Sequence, residues 1–207
     1  MAKKQLEIST LLPCMVVLVT CQGLDGKPNV STISEGGVMC NHPPMLGISV
    51  AKPHLSNRQI KETGEFVVNV PSEKLLWESD LCGCVSGRKV DKFKLTGLTL
   101  IPSLVVKVPS IKECPVNIEC KVKHILNLGT EDLFIGEVVA NVADEEIMRP
   151  GADSADHIAF NKPALEGTKW RPLINLHGTA HYWNLKEKLQ PLFYTGKQRR
   201  DSGQVVW

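Results

Sequence analysis

Apolar and polar positions along the chain alternate in the way of a protein built on strands. Met15-Val16-Val17-Leu18-Val19-Thr20 is β-branched and apolar, and the turn formers Gly23, Asp25-Gly26 and Pro28 follow it. Asn29-Val30-Ser31-Thr32-Ile33 is a second extended run, so the pair reads as a hairpin closed by an Asp-Gly turn. Pro43-Pro44 introduces a third strand over residues 45–50, and Phe66-Val67-Val68-Asn69-Val70 is a fourth. From Val116, the residues Val116, Ile118, Cys120 and Val122 alternate with Asn117, Glu119, Lys121 and Lys123. That period of two predicts a half-buried strand. Residues 132–143 are its expected antiparallel neighbour across Asn127-Leu128-Gly129-Thr130, and a last short strand is expected over residues 172–176.

Helix signals are few and short. Residues 55–63 are closed by Gly64, a glycine just past a helix end. A second helix is expected over residues 74–81, with Ser72 as N-cap and Glu73 at the positive end of the dipole. A third covers residues 90–96 and stops at Gly97; residues 144–168 are polar and irregular. Long strands, tight turns and short inserted helices predict a mainly β fold, an antiparallel barrel with helical additions. The regular strand–helix alternation of a doubly wound parallel sheet is missing. With no internal repeat and no linker-like shift in composition, residues 1–207 read as one domain with an irregular C-terminal tail from about residue 184.

Composition narrows the function more than the fold. The 43% apolar and 22% charged fractions are those of a globular chain, which sets aside disordered and low-complexity readings. Lys and Arg total 24 against 22 Asp and Glu, too even for a nucleic-acid-binding domain. No apolar run reaches the roughly 18 residues of a membrane span, so no membrane partner is expected. Lys3-Lys4 before residues 11–21 imitates a signal peptide, but Glu7, Pro13 and Thr20 each break the pattern. Seven cysteines, without C-x-x-C spacing, read as reduced thiols of a cytoplasmic protein.

Familiar rigid motifs are missing: there is no G-x-G-x-x-G, P-loop, H-E-x-x-H or G-x-S-x-G. His177 and His181 are spaced i, i+4, but Gly178 and Thr179 argue against a helix there, so no metal site is expected. The basic run Lys197-Gln198-Arg199-Arg200 reads as a solvated end.

Three stretches could hold a ligand. At the junction of the third strand and first helix, Ser49, Lys52, Ser56 and Asn57 gather near a helix start, which suits a phosphate monoester. The same residues also read as an ordinary helix cap with solvated Lys52 and Arg58. A second stretch, Cys82 to Phe93, has Gly83 and Gly87 for close backbone approach and Lys92 as a cation; it also reads as a plain surface loop. In the third, Thr32-Ile33-Ser34 ends a strand before Gly36-Gly37.

Taken in order, these segments resemble the flavin reductase-like, FMN-binding split-barrel family, in particular its flavoredoxin branch. The resemblance rests on Val17-Leu18-Val19-Thr20-Cys21 with Asp25-Gly26-Lys27-Pro28-Asn29, on Pro43-Pro44-Met45-Leu46-Gly47-Ile48-Ser49, and on the specific run Lys61-Glu62-Thr63-Gly64-Glu65-Phe66-Val67-Val68-Asn69-Val70-Pro71. Val85-Ser86-Gly87 with Asp91-Lys92-Phe93, Glu113-Cys114-Pro115-Val116-Asn117 and Asp132-Leu133-Phe134-Ile135-Gly136-Glu137-Val138 continue it, over roughly residues 12–180.

The resemblance implies a homodimer with one noncovalent FMN per subunit near the subunit interface. It implies that Asn29, Thr32, Ile33, Ser34 and Glu35 line the isoalloxazine ring, largely through backbone atoms. Ser49, Val50, Ala51 and Lys52, with Ser56 and Asn57, would hold the phosphate and ribityl chain, and Ser86, Gly87 and Lys92 would close the other side. The flavin then carries the redox chemistry, and no side chain is required as a catalytic acid or base. Two activities follow: an NADH- or NADPH-dependent flavin reductase, or a flavoredoxin-type electron carrier with a redox protein partner. The alternative is a non-catalytic split barrel that binds haem or stores or senses FMN. Glu35 stands where many members of the family carry an aromatic residue, Glu131 replaces a common histidine, and the glycine-rich stretch is broken over residues 175–183.

Overall fold

The computed structural model describes residues 12–148, 170–176 and 181–185. The strands are β1 (Pro13–Met15), β2 (Val17–Gln22), β3 (Pro28–Ile33), β4 (Gly36–Asn41), β5 (Pro44–Ala51), β6 (Glu65–Val70), β7 (Leu100–Ile101), β8 (Ser110–Ile111), β9 (Val116–Leu128), β10 (Glu131–Ala143), β11 (Leu173–Leu176) and β12 (Tyr182–Asn184). Three helices interrupt them: α1 (Leu55–Thr63), α2 (Leu76–Cys84) and α3 (Lys92–Thr96). β3, β2, β6, β9, β10, β5 and β4 lie side by side in one seven-stranded sheet. Every pairing in it is antiparallel. The sheet curls back on itself: the Ser49 N–H donates to the Glu35 carbonyl at 2.7 Å, joining β5 to the turn that leaves β3. This is a mainly β, antiparallel split barrel with short inserted helices.

Local signals account for the framework. Gly26 and Gly64 both adopt positive φ, 74° and 70°, the first in the β2–β3 turn and the second as the cap of α1. A side chain at either position would meet the left-handed backbone penalty. α3 begins two residues later than the spacing suggests, at Lys92, because the Asp91 carboxylate accepts from the Phe93 and Lys94 N–H groups and caps it there. Ser72 precedes a 3-10 turn, Glu73–Leu75, rather than the helix itself, and its side chain makes no cap bond.

The barrel interior packs Val17, Val19, Ile33, Ile48, Val50, Phe66, Val68 and Phe134. A Cβ on Gly136 would lie 2.7 Å from the Phe66 ring, so β10 needs glycine there for Phe66 to cross. On the outer face, Leu18, Val30, Leu75, Cys82, Leu98, Ile111 and Cys114 form a second cluster beneath α2 and α3. β2 is therefore covered on both sides, which is why it reads as one apolar run rather than as an alternation.

The expectation of a half-buried β9 needs correction at its first half. Asn117 and Glu119 are buried with Val116 and Cys120, because the chain between β7 and β9 lies over that face. The Glu119 carboxylate accepts from the N–H groups of Leu104, Val105 and Val106 at 2.6, 2.7 and 3.0 Å. Asn117 Nδ2 donates to Asn69 Oδ1 at 2.8 Å; Asn69 Nδ2 donates in turn to the Leu18 carbonyl at 2.8 Å and to Thr20 Oγ1 at 3.1 Å. These bonds satisfy the polar groups that burial would otherwise strand.

Candidate functional site

A cleft of about 160 Å³ opens where the end of β3, the start of α1 and the segment after α2 meet. Asn29, Ser31 and Thr32 come from β3, Pro53, His54 and Leu55 from the approach to α1, and residues 82–87 and Lys92 from the third side. Three separate stretches of sequence thus meet at one place. Thr32 Oγ1 donates to the Ser79 carbonyl, tying β3 to α2. Gly87 packs directly over Asn29: a Cβ there would lie 2.2 Å from Asn29 Oδ1. Only glycine lets the backbone come so close, and this contact forms the floor of the cleft.

Lys92 sets the electrostatics. Its residue surface is only 5% exposed, and Nζ donates to the Cys82 carbonyl at 2.6 Å. No carboxylate pairs with it among the described residues. Burial lowers its pKa below the ordinary lysine value. Burial in turn pushes the Cys82 thiol up to about 11 and the Cys21 thiol up to about 12, so neither supplies a counter-charge at neutral pH. A buried cation without a partner is costly, and the cleft it faces suits an anion.

The residues singled out in the sequence divide into groups. Asn29, Thr32, Ser86, Gly87 and Lys92 line the cleft together. Ser56 lies just behind it, its hydroxyl 3.0 Å from that of Ser31. Ile33 and Val50 direct their side chains into the barrel core, so only their backbone atoms are available to a ligand. Asn57 is turned inward: its amide donates to the Val50 carbonyl and to Asp132 Oδ2, both at 2.9 Å. Lys61 Nζ adds a 2.7 Å ion pair to the same carboxylate, and these two donors hold Asp132 below the usual carboxylate range. Lys52 reaches away to the β9–β10 turn, where Nζ donates to Asn127 Oδ1 at 2.7 Å and to the Gly129 carbonyl. Ala51 lies beside it at the end of β5. Ser34 Oγ donates to Glu35 Oε1 at 2.9 Å and receives Asn175 Nδ2 at 3.3 Å. Ser49 stands in β5 opposite Leu133, and Ser49, Lys52, Ser56 and Asn57 are not among the residues lining the cleft. The cleft also includes Pro53, His54, Leu55 and Cys84, which fall inside two of the stretches picked out above but have no role assigned there.

His177 and the basic tail lie outside the described residues. Among the described residues no group of three His, Cys, Asp or Glu side chains could hold a metal ion, and no helix is long and apolar enough to cross a membrane.

The split barrel thus carries a cleft lined by Asn29, Gly87 and the buried Lys92. Residues 9–170 match the flavin reductase-like domain, and the chain belongs to that family, within its flavoredoxin branch. It is similar to the flavoredoxin of Desulfovibrio vulgaris (Miyazaki F), at 30% identity and a TM-score of 0.84, covering 94% of this chain and all of that one. A flavoredoxin from Methanosarcina acetivorans is 31% identical with a TM-score of 0.81, over 96% and 98% of the two chains. An uncharacterized protein of Archaeoglobus fulgidus is 42% identical over 113 residues, 55% of this chain and 64% of its own length.

Proposed function

We propose that the protein is an FMN-dependent oxidoreductase, holding the cofactor noncovalently in each subunit of a cytoplasmic homodimer. The observation that carries this reading is Lys92, a buried ammonium without an acid partner among the described residues, on the wall of a cleft floored by Gly87 and Asn29. These residues fit a phosphorylated flavin: the anionic group meets Lys92, and the glycine floor leaves room for close backbone contact. When bound, a flavin supplies hydride acceptance and single-electron release, chemistry that no side chain here provides.

The chain's own part is positioning and exclusion of water. Lys92 offsets negative charge on the ligand, and Ser86 adds a hydroxyl on the same wall. Thr32, fixed by its bond to the Ser79 carbonyl, holds the end of β3 in place. Leu55 and Val85 supply apolar cover. The Ser34–Glu35 pair stands beside Asn175, so a carboxylate rather than an aromatic ring flanks the position the resemblance assigns to the isoalloxazine.

A flavoredoxin-type electron carrier is the first reading, supported by likeness to two flavoredoxins across nearly the whole chain. An NAD(P)H-dependent flavin reductase is the second, supported by the family match. The purified protein should be yellow, with the absorbance of oxidised flavin. Under anaerobic conditions, bleaching by NADH or NADPH with turnover of added free flavin identifies a reductase. Bleaching only by dithionite or a reduced redox protein identifies a carrier. A Soret band in place of flavin absorbance overturns both.

A further inference from the structure

One side chain joins two walls of the cleft. Arg88 follows Ser86 and Gly87 on the wall after α2, and its Nη2 donates to the Pro53 carbonyl at 3.1 Å, on the wall that leads into α1. Both residues are exposed, whereas Asn29 and Lys92 in the same cleft are 4% and 5% exposed. The bond therefore lies on the solvent side of the opening, and Lys92 lies at depth. Both ends of it are anchored. The Ser86 carbonyl accepts from the Lys89 and Val90 N–H groups at 2.9 and 3.2 Å, and the Arg88 N–H donates to Ser86 Oγ at 3.3 Å, so residues 86–90 form a tight turn. Across the cleft, the ring of Pro53 fixes its φ, and the His54 N–H donates to the Ala51 carbonyl at 3.0 Å. The part free to move is the arginine side chain, which is exposed and pairs with no carboxylate among the described residues.

We propose that Arg88 is a strap across the mouth of the cleft: its bond to the Pro53 carbonyl opens for a ligand to enter or leave and forms again over the bound ligand. Exposed side chains change rotamer far faster than ligands bind, so opening is an equilibrium that precedes each passage. A hydrogen bond from a charged donor favours the closed form about tenfold. Only the open fraction exchanges ligand, so entry and exit slow by that same factor. The acceptor is a backbone carbonyl and not the ligand, so the bond is the same before and after binding and affinity hardly changes. A cleft strapped in this way retains what it holds, which suits a resident cofactor better than one released at each turnover. The proposal rests on the flavin reading above for the ligand; the strap itself stands on the two walls and the bond between them.

The test is stopped-flow fluorescence with FMN and with riboflavin, which lacks the phosphate, on the wild type, Arg88→Met and Arg88→Lys. In Arg88→Met the association and dissociation rates of both flavins should rise together by about tenfold, with Kd within about twofold of the wild type. Arg88→Lys keeps a charged donor without the planar fork and should fall between the two. A readout without flavin is acetylation of Lys92 by acetic anhydride, followed by peptide mass spectrometry with the exposed Lys107 as reference. Arg88→Met should raise labelling of Lys92 about tenfold and leave Lys107 unchanged. Unchanged flavin rates together with unchanged Lys92 labelling overturn the proposal. Faster loss of FMN with riboflavin unaffected also overturns it, since Arg88 is then a phosphate contact and not a strap. If neither flavin binds while Lys92 labelling still rises in Arg88→Met, the flavin reading falls and the strap stands.

Discussion

Replacing Lys92 with methionine separates a ligand-binding cation from a structural one, because the two roles predict opposite signs. Lys92 is 5% exposed, and its ammonium donates to the Cys82 carbonyl at 2.6 Å. Removing a buried charge that has no counter-ion recovers part of a desolvation penalty of about several kcal/mol. Losing the donor to a carbonyl costs about 1 kcal/mol. The net expectation for Lys92→Met is a ligand-free protein more stable by about 1 kcal/mol, read as a higher urea midpoint at unchanged slope. FMN binding should change the other way. One charge-assisted hydrogen bond is worth about 1.5–3 kcal/mol, so fluorescence titration should show affinity falling about ten- to a hundredfold. A variant less stable than the wild type, with FMN affinity unchanged, would refute the argument and make Lys92 a strut for α2.

The pH dependence follows from the same residue: burial lowers the Lys92 pKa from 10.5, so the unfolded chain holds that proton more tightly than the folded one. The ligand-free protein should therefore gain stability as pH rises through the lowered value toward 10.5, FMN affinity should fall over the same window, and both trends should vanish in Lys92→Met. Gly87→Ala, whose Cβ would lie 2.2 Å from Asn29 Oδ1, should cost about 1–3 kcal/mol in thermal or urea unfolding and weaken FMN binding. Gly83→Ala, with its nearest neighbour at 3.4 Å in Thr32, should instead stabilise α2 by about 0.5–1 kcal/mol. Glu119→Gln turns an amide N–H₂ toward backbone N–H donors and should lower the urea-derived stability by about 2–3 kcal/mol without changing FMN affinity.

Much of the framework was legible because its signals are local. Asp25-Gly26, Gly64 and Gly97 each mark a chain reversal or helix end within a few residues, and all three glycines take positive φ. β4 carries little strand signal of its own, since it opens on Gly36-Gly37, and the pairing that makes it a strand comes from β5. β7 and β8 are two residues each and exist only through one another. The burial of Asn117 and Glu119 depends on a covering segment, which an alternation of residue types does not reveal. At the site, glycine spacing and the lysine marked residues 86–92, and the resemblance joined them to β3. Ser56 and Asn57 looked like phosphate ligands because they stand at a helix start. Their partners, Ser31 and Asp132, lie 25 and 75 positions away, so the inward turn of both side chains was beyond any local reading.

The buried amides of Asn69 and Asn117 have an effect on how the chain assembles. Asn69 Oδ1 also accepts the Ile111 N–H at 2.9 Å, and Asn117 Nδ2 reaches the Ile111 carbonyl at 3.1 Å, so two side chains index β2, β6, β8 and β9 against one another. Sliding β6 along β9 by one step would swing Asn69 to the greasy side and leave its former correspondents unanswered in a dry interior. Oily contacts alone tolerate such slippage; a pair of carboxamides makes one alignment far cheaper than its neighbours. The alignment they select is the one that brings the end of β3 level with α2, and the pocket mouth inherits its shape from that choice.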